Sequence, residues 1–389
     1  MTPRSRADWV LPTSMLLGTF AWSFIYVSLP FHIQKMSTLD PAATLRWTGW
    51  ILGVSPLITV VTAPISGRLG EHVDPKRGFI AVQAFQGVGF LGMALARTLP
   101  EMLIARMLLG LMGAVSTFAF IMVGRSGGDV RRQVSHIQSG MTLGQVLGPA
   151  AGAVVAARIG FRLSFVLGAG MLWACSALVA WGVPCGNPRD TRTGGPRQMS
   201  LRELVTVCLV VLAGSTQIFF LAAILPQILP PLGVAAASTL EVGGFLLLLT
   251  GLAAALGAMA APRLAELVGD RRAVLWFLLG SSLLLAALGA MGNVWTFGAL
   301  RFLQVLCIAP VFPLAVAAIA QRASGEAIGF VNSARIGAAF VGPVAATTLL
   351  SSMPPAAVYL VLAALGVSVV PLVARLDRRS RMRSDRGEA

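Results

Sequence analysis

Charge is scarce in this chain of 389 residues, and negative charge is scarcest. Charged residues make up 12% of it, with 15 Asp and Glu against 30 Lys and Arg, whereas a soluble domain carries about a quarter. That excludes an ordinary soluble fold. Cysteine is rare too: Cys175, Cys185, Cys208 and Cys307 lie in or beside apolar runs without metal-ligand spacing. They read as small apolar residues and supply neither a disulfide framework nor a metal centre. Histidine occurs three times, scattered. No nucleophile-base pair or metal cluster falls on a plausible common face, which argues against an enzyme, and no cofactor or metal is expected. The net charge of +15 lacks the aromatic-studded basic module that nucleic-acid binding would need.

What the chain has is apolar length. Hydrophobic residues are 56% of it, and twelve crossings of roughly 20 to 24 residues would use about 265 positions, leaving about 120 for loops and tails. The arithmetic closes without a soluble domain. The first apolar run, over about residues 10–32, follows Arg4 and Arg6; it is too long for the core of a signal peptide and lacks a small-x-small cleavage site, so it stays as the first span. Further spans are read over about 45–66, 79–97 and 101–123, then from His136, then over about 161–183, 203–229, 239–262, 273–292, 297–320, 326–350 and 355–374. With the N-terminus inside, the inside segments hold 22 of the Lys and Arg residues and the outside segments only Lys35, Arg46, Arg97, Arg158 and Arg162. This asymmetry puts both termini in the cytoplasm of a plasma (inner) membrane protein, with the lipid bilayer as its first partner.

The chain also repeats itself. A shift of 195 carries Leu69-Gly70-Glu71 onto Leu264-Ala265-Glu266, Lys76-Arg77 onto Arg271-Arg272, and Arg106 onto Arg301. A shift of 194 carries Gly148-Pro149 onto Gly342-Pro343. Self-similarity at half the length marks a duplicated unit. The expected architecture is therefore an all-α membrane protein of twelve transmembrane helices in two pseudo-symmetric six-helix bundles. Residues 1–183 form the first bundle, 184–201 a Gly/Pro/Arg-rich cytoplasmic linker, 202–374 the second bundle and 375–389 a basic cytoplasmic tail.

Within the spans, Gly140, Gly144, Gly148 and Gly152 recur every fourth residue and offer a smooth face for close helix contact; Ala334, Ala338, Gly342 and Ala346 repeat it in the second half. Three arginines lie inside apolar runs: Arg106, Arg301 and Arg335. Such residues are functional candidates by default. No acidic residue balances them, because Asp8, Glu101, Glu241 and Glu326 all stand at span edges. A cavity lined by these arginines would be electropositive and suit an anionic substrate. Gln138, Thr142, Gln145, Gln217, Gln304 and Asn332 could add neutral hydrogen bonds, and Trp22, Tyr26, Phe219 and Phe220 could stack on an apolar ligand body. Ordinary inter-helix packing is the competing explanation for each.

The Gly67-x-Leu69-Gly70-Glu71…Lys76-Arg77 stretch, its weaker copy at Glu266, Arg271 and Arg272, and the two six-span halves resemble the major facilitator superfamily over nearly the whole chain. Arg106 with Gly110 and Gly113, and Gly144…Gly148-Pro149…Gly152, are similar to motifs of its drug:proton antiporter branch. The resemblance implies that Gly67 permits a tight turn, that Glu71 latches a cytoplasmic gate and that Lys76 or Arg77 supports it. His72 and Asp74 depart from the pattern, and Pro75 is added. That branch commonly places a carboxylate in span 1, where this chain has Ala21 and Trp22. Proton coupling would then fall to Glu101, His32 or His136, or be absent. The function expected is a monomeric secondary transporter that exports small amphipathic molecules by alternating access, with or without coupling to protons. The alternatives are a carrier for organic anions, working by exchange or uncoupled, and a transporter-like membrane scaffold or sensor.

Overall fold

The structure, a computed structural model, describes residues 3–113, 115–125, 130–183, 200–320 and 325–373. No strand occurs among the described residues. The first crossing is built from α1 (Pro3–Tyr26) and α2 (Ser28–Met36), the second from α3 (Pro41–His72) and the third from α4 (Pro75–Leu95). There follow α5 (Leu99–Leu111) with α6 (Val115–Arg125), α7 (Val130–Ile159) and α8 (Phe161–Gly182). The second half comprises α9 (Leu201–Phe219) with α10 (Leu221–Ile228), α11 (Thr239–Val268), α12 (Asp270–Ala287), α13 (Val294–Ile308) with α14 (Val311–Ala320), α15 (Gly325–Leu350) and α16 (Pro355–Ser368). Eleven stretches among the described residues are long and apolar enough to cross a membrane. The 32-residue α3 joins them by length.

Four crossings are interrupted, and in matching places. The breaks fall at Val27, between Leu111 and Val115, at Phe220, and between Ile308 and Val311. These are the first and fourth crossings of each half.

The charged loop expected at 67–77 is mostly helix. α3 runs on through His72, so Gly67 makes no turn. The chain turns at Val73-Asp74 instead, because the Asp74 carboxylate accepts the Lys76 amide at 3.1 Å and Pro75 takes the first helical position of α4, where a missing N–H costs nothing. In the copy, α11 continues to Val268 and the turn is Gly269 at φ +86°, which lies 195 residues after Asp74. Glycine adopts that left-handed conformation without the Cβ penalty. The side chains at 67–71 and 271, including Leu69, Gly70, Glu71 and Arg271, lie outside the described residues, as do the linker 184–199 and the tail 374–389.

The chain divides into two compact units, Met1–Arg192 with Ala235–Gly251, and Thr193–Val234 with Leu252–Ala389. In the first unit α1 lies against α7 and α8, α4 against α8, and α3 against α5. Its core gathers Met15 of α1, Phe79 and Val82 of α4, Phe118 of α6, Ile137 of α7 and Val179 of α8. In the second unit α15 lies against α9, and α12 against α13 and α16. Its core gathers Val210 of α9, Leu278 of α12, Ile308 of α13 and Leu314 of α14.

The glycine stripe of α7 is taken up by α1. A Cβ on Gly140 would sit 2.6 Å from the Pro12 carbonyl oxygen, and one on Gly148 would sit 2.9 Å from that of Phe20. Thr19 Oγ1 donates across the same seam to the Met141 carbonyl at 3.1 Å. In the second unit Gly342 meets α9, its virtual Cβ lying 3.0 Å from the Phe220 nitrogen. Close backbone approach is thus repeated, with alanines on α15 where α7 has its other glycines. Pro149 and Pro343 lie inside α7 and α15.

Candidate functional site

Arg106 is 3% exposed, and two of its nitrogens donate to backbone. Nε donates to the Ile51 carbonyl at 3.0 Å and Nη2 to the Leu52 carbonyl at 2.9 Å. The sequence supplies the reason. In a helix the Leu52 carbonyl would accept from residue 56, but that residue is Pro56, which has no N–H. The guanidinium replaces the lost donor. Ser55 Oγ donates back to the Arg106 carbonyl, so the two helices are tied in both directions.

The same logic extends around the break between α5 and α6. Helix ends leave carbonyls without partners, and here side chains supply donors: Thr59 Oγ1 to Gly110 at 3.1 Å and Gln86 Nε2 to Met112 at 2.6 Å. Gln86 Oε1 in turn accepts from Trp22 Nε1 at 3.1 Å, and the Arg106 guanidinium lies 5.5 Å from the centre of the Trp22 ring. The Tyr26 hydroxyl is enclosed beside this group without a hydrogen-bond partner.

Arg301, 1% exposed, does the equivalent work in the second unit with different partners. Nη1 donates to the Gln217 carbonyl at 2.8 Å and Nη2 to the Ile218 carbonyl at 2.9 Å, in the last turn of α9. Nη1 also reaches Gln304 Oε1 at 2.5 Å. Gln304 Nε2 donates to Gln217 Oε1 at 3.0 Å, and Gln217 Nε2 to Ser282 Oγ at 3.0 Å. The guanidinium carbon lies 5.1 Å from the centre of the Phe220 ring, which meets Tyr359 edge-on. The 195-residue shift that relates the arginines also carries Trp22 onto Gln217, so one position of each half meets the arginine of that half.

The remaining candidates are dispersed. Gln138, Thr142 and Gln145 are exposed on the face of α7 away from its glycines. Asn332 is exposed on α15, and Arg335 lies over the Phe312 ring at 4.9 Å. Glu101 belongs to a helix start: its carboxylate accepts the Arg97 amide at 2.8 Å while Thr98 Oγ1 accepts the Glu101 amide at 3.4 Å, a reciprocal cap. His136 is exposed on α7, as are Arg77, Glu266 and Arg272 at the turns. His32 is buried against Phe161 and Phe165 with both ring nitrogens lacking a hydrogen bond. Among the described residues no group of three or more His, Cys, Asp or Glu could hold a metal. A cavity of about 300 Å³ opens beside Arg46, Trp47 and Trp50, and none of the predicted binding residues lines it.

Sequence reasoning passed over Gln83 and Gln86, both 1% exposed on α4, and Ser282 on α12. Two glutamines three apart inside an apolar run are the signal that could have found the first pair. Both amide atoms of Gln83 are enclosed without a partner.

The sequence profile of the Major Facilitator Superfamily matches residues 13–231 and again 205–389. The chain belongs to that superfamily. The multidrug resistance protein MdtG of Citrobacter koseri is 23% identical over 345 residues, covering 82% of this chain and 81% of the relative. A bacterial homologue of the human lysosomal transporter Spinster, solved inward-facing and occupied, superposes with a TM-score of 0.78 at 11% identity over 97% of each chain. The human organic anion transporter MFSD10 gives 0.70 at 17% identity, covering 96% of this chain and all of that one. These structures share the superfamily fold with this chain.

Proposed function

We propose that this superfamily member is an exporter of small amphipathic molecules, working by alternating access and coupled to protons. The observation that carries the reading is the similarity to multidrug resistance proteins along 82% of the chain. The fate of the arginines fits it. Arg106 and Arg301 each give two guanidinium nitrogens to backbone carbonyls, which holds both side chains in place within their own unit, and aromatic side chains such as Trp22 could meet a varied apolar cargo. Two bundles of six crossings, divided near residues 184–201, would rock about the cargo, with Glu71, Lys76 and Arg77 latching the cytoplasmic side. Both termini would lie in the cytoplasm of the plasma membrane. Efflux of preloaded ethidium from proteoliposomes is the test. Efflux that rises with an imposed pH gradient supports the reading; flux indifferent to the gradient removes the proton coupling, and no flux removes the exporter.

A carrier for organic anions is the second reading. It is favoured by one residue, Arg335, whose guanidinium makes neither a hydrogen bond nor an ion pair among the described residues.

A further inference from the structure

The three arginines inside the spans differ in what their donors reach. Arg106 and Arg301 give theirs to backbone carbonyls, among them the Leu52 carbonyl that Pro56 has freed and those in the last turn of α9 before its break. Arg335 does not. It is half-buried on α15, six residues into the membrane-crossing stretch Gly329–Leu350, and makes no hydrogen bond or ion pair among the described residues. Its one contact of that kind is with the face of Phe312, 4.9 Å from guanidinium carbon to ring centre. That ring is itself packed against Val211, Ala315 and Val331.

The donors of a guanidinium lie in its own plane, so an aromatic ring beneath it steadies the group and leaves the N–H fork free. A free fork inside an apolar segment calls for a counter-charge, and its two parallel donors match the paired oxygens of an oxyanion. Asn332, exposed one turn earlier on the same helix, presents an amide within reach of the same region.

We infer that Arg335, seated on Phe312, is an oxyanion-binding site that takes a carboxylate, phosphate or sulfonate group. The group belongs either to transported cargo or to a lipid headgroup. The cargo case rests on the transport reading above and adds to its range molecules bearing a negative group; the lipid case stands without it.

The full chain is reconstituted in nanodiscs of phosphatidylcholine with phosphatidylglycerol. Binding of fluorescein, an organic dianion, is followed by anisotropy, with ethidium as the cationic control, and retained phosphatidylglycerol is counted by native mass spectrometry. Arg335→Gln is expected to weaken fluorescein at least about tenfold, or to strip a retained phosphatidylglycerol, with ethidium binding unchanged. Arg335→Lys should keep part of the effect, since it keeps the charge and loses the fork. Loss in the fluorescein arm assigns the oxyanion to cargo, and loss in the lipid arm assigns it to the headgroup. The inference is overturned if Arg335→Gln alters neither, if the unchanged protein holds neither ligand, or if ethidium binding falls equally. Should Arg335→Gln melt well below the unchanged protein, Phe312→Leu replaces it and must weaken the same ligand. Failed ethidium efflux alongside intact fluorescein binding would sink the export reading and leave this site standing.

Discussion

Arg106 Nη2 lies 2.9 Å from the Leu52 carbonyl, the acceptor that Pro56 leaves without its helical donor. A buried arginine and a proline on the neighbouring helix are thereby one device. Arg106→Ala should destabilise the protein by about 2 kcal/mol, because the buried Leu52 carbonyl loses its one donor and the Ile51 carbonyl loses its second. Adding Pro56→Ala restores the N–H, so the loss caused by Arg106→Ala should shrink by at least about 0.5 kcal/mol in that background. Thermal unfolding of the four proteins in detergent measures the coupling. Equal losses in both backgrounds would show that the arginine does not substitute for the missing amide.

The network around Arg301 makes a second case. Gln304 bridges Arg301 and Gln217, and Gln217 passes the chain on to Ser282. Gln304→Leu should cost about 2–4 kcal/mol, since it orphans groups on both sides. Gln217→Leu combined with Gln304→Leu should cost less than the sum of the two, read from the same melts.

Packing along α1 gives a contrast between glycines. Gly148→Ala puts a methyl 2.9 Å from the Phe20 carbonyl oxygen and 2.6 Å from Ser23 Cβ, while Gly170 has nothing within 4 Å. The first change should lower stability by about 1–3 kcal/mol, and the second should be neutral or stabilising. Similar melting temperatures for the two variants would mean that the α1 and α7 helices are not in close contact.

At the turn between α11 and α12, Gly269→Ala meets no steric obstacle but must adopt φ +86°. It should cost about 1–3 kcal/mol, and Gly269→Asn should give no relief, because ψ of 139° lies outside the αL region that asparagine tolerates. Asp74→Ala, at the equivalent turn, should cost about 1 kcal/mol through loss of the cap.

His32 sits against Phe161 and Phe165 with two unpartnered nitrogens. His32→Phe should therefore raise the melting temperature and leave the response of ethidium efflux to a pH gradient unchanged. Loss of that response alone would return His32 to the proton path.

Hydropathy and the 195-residue repeat were enough to determine that the chain crosses the membrane many times in two related halves, because lipid demands long apolar helices and a duplicated unit keeps its spacing. They also singled out Arg106, Arg301 and Arg335, since charge inside an apolar run stands out in one dimension. What each arginine touches was decided only by tertiary structure. Pro56 is fifty residues from Arg106 and Ile218 eighty-three from Arg301 along the chain, and it is helix packing that delivers a freed carbonyl to each. The turn at Asp74 escaped notice for a related reason: an aspartate before a proline competes with a glycine motif for the same bend, and the cap wins by satisfying an amide that the glycine cannot.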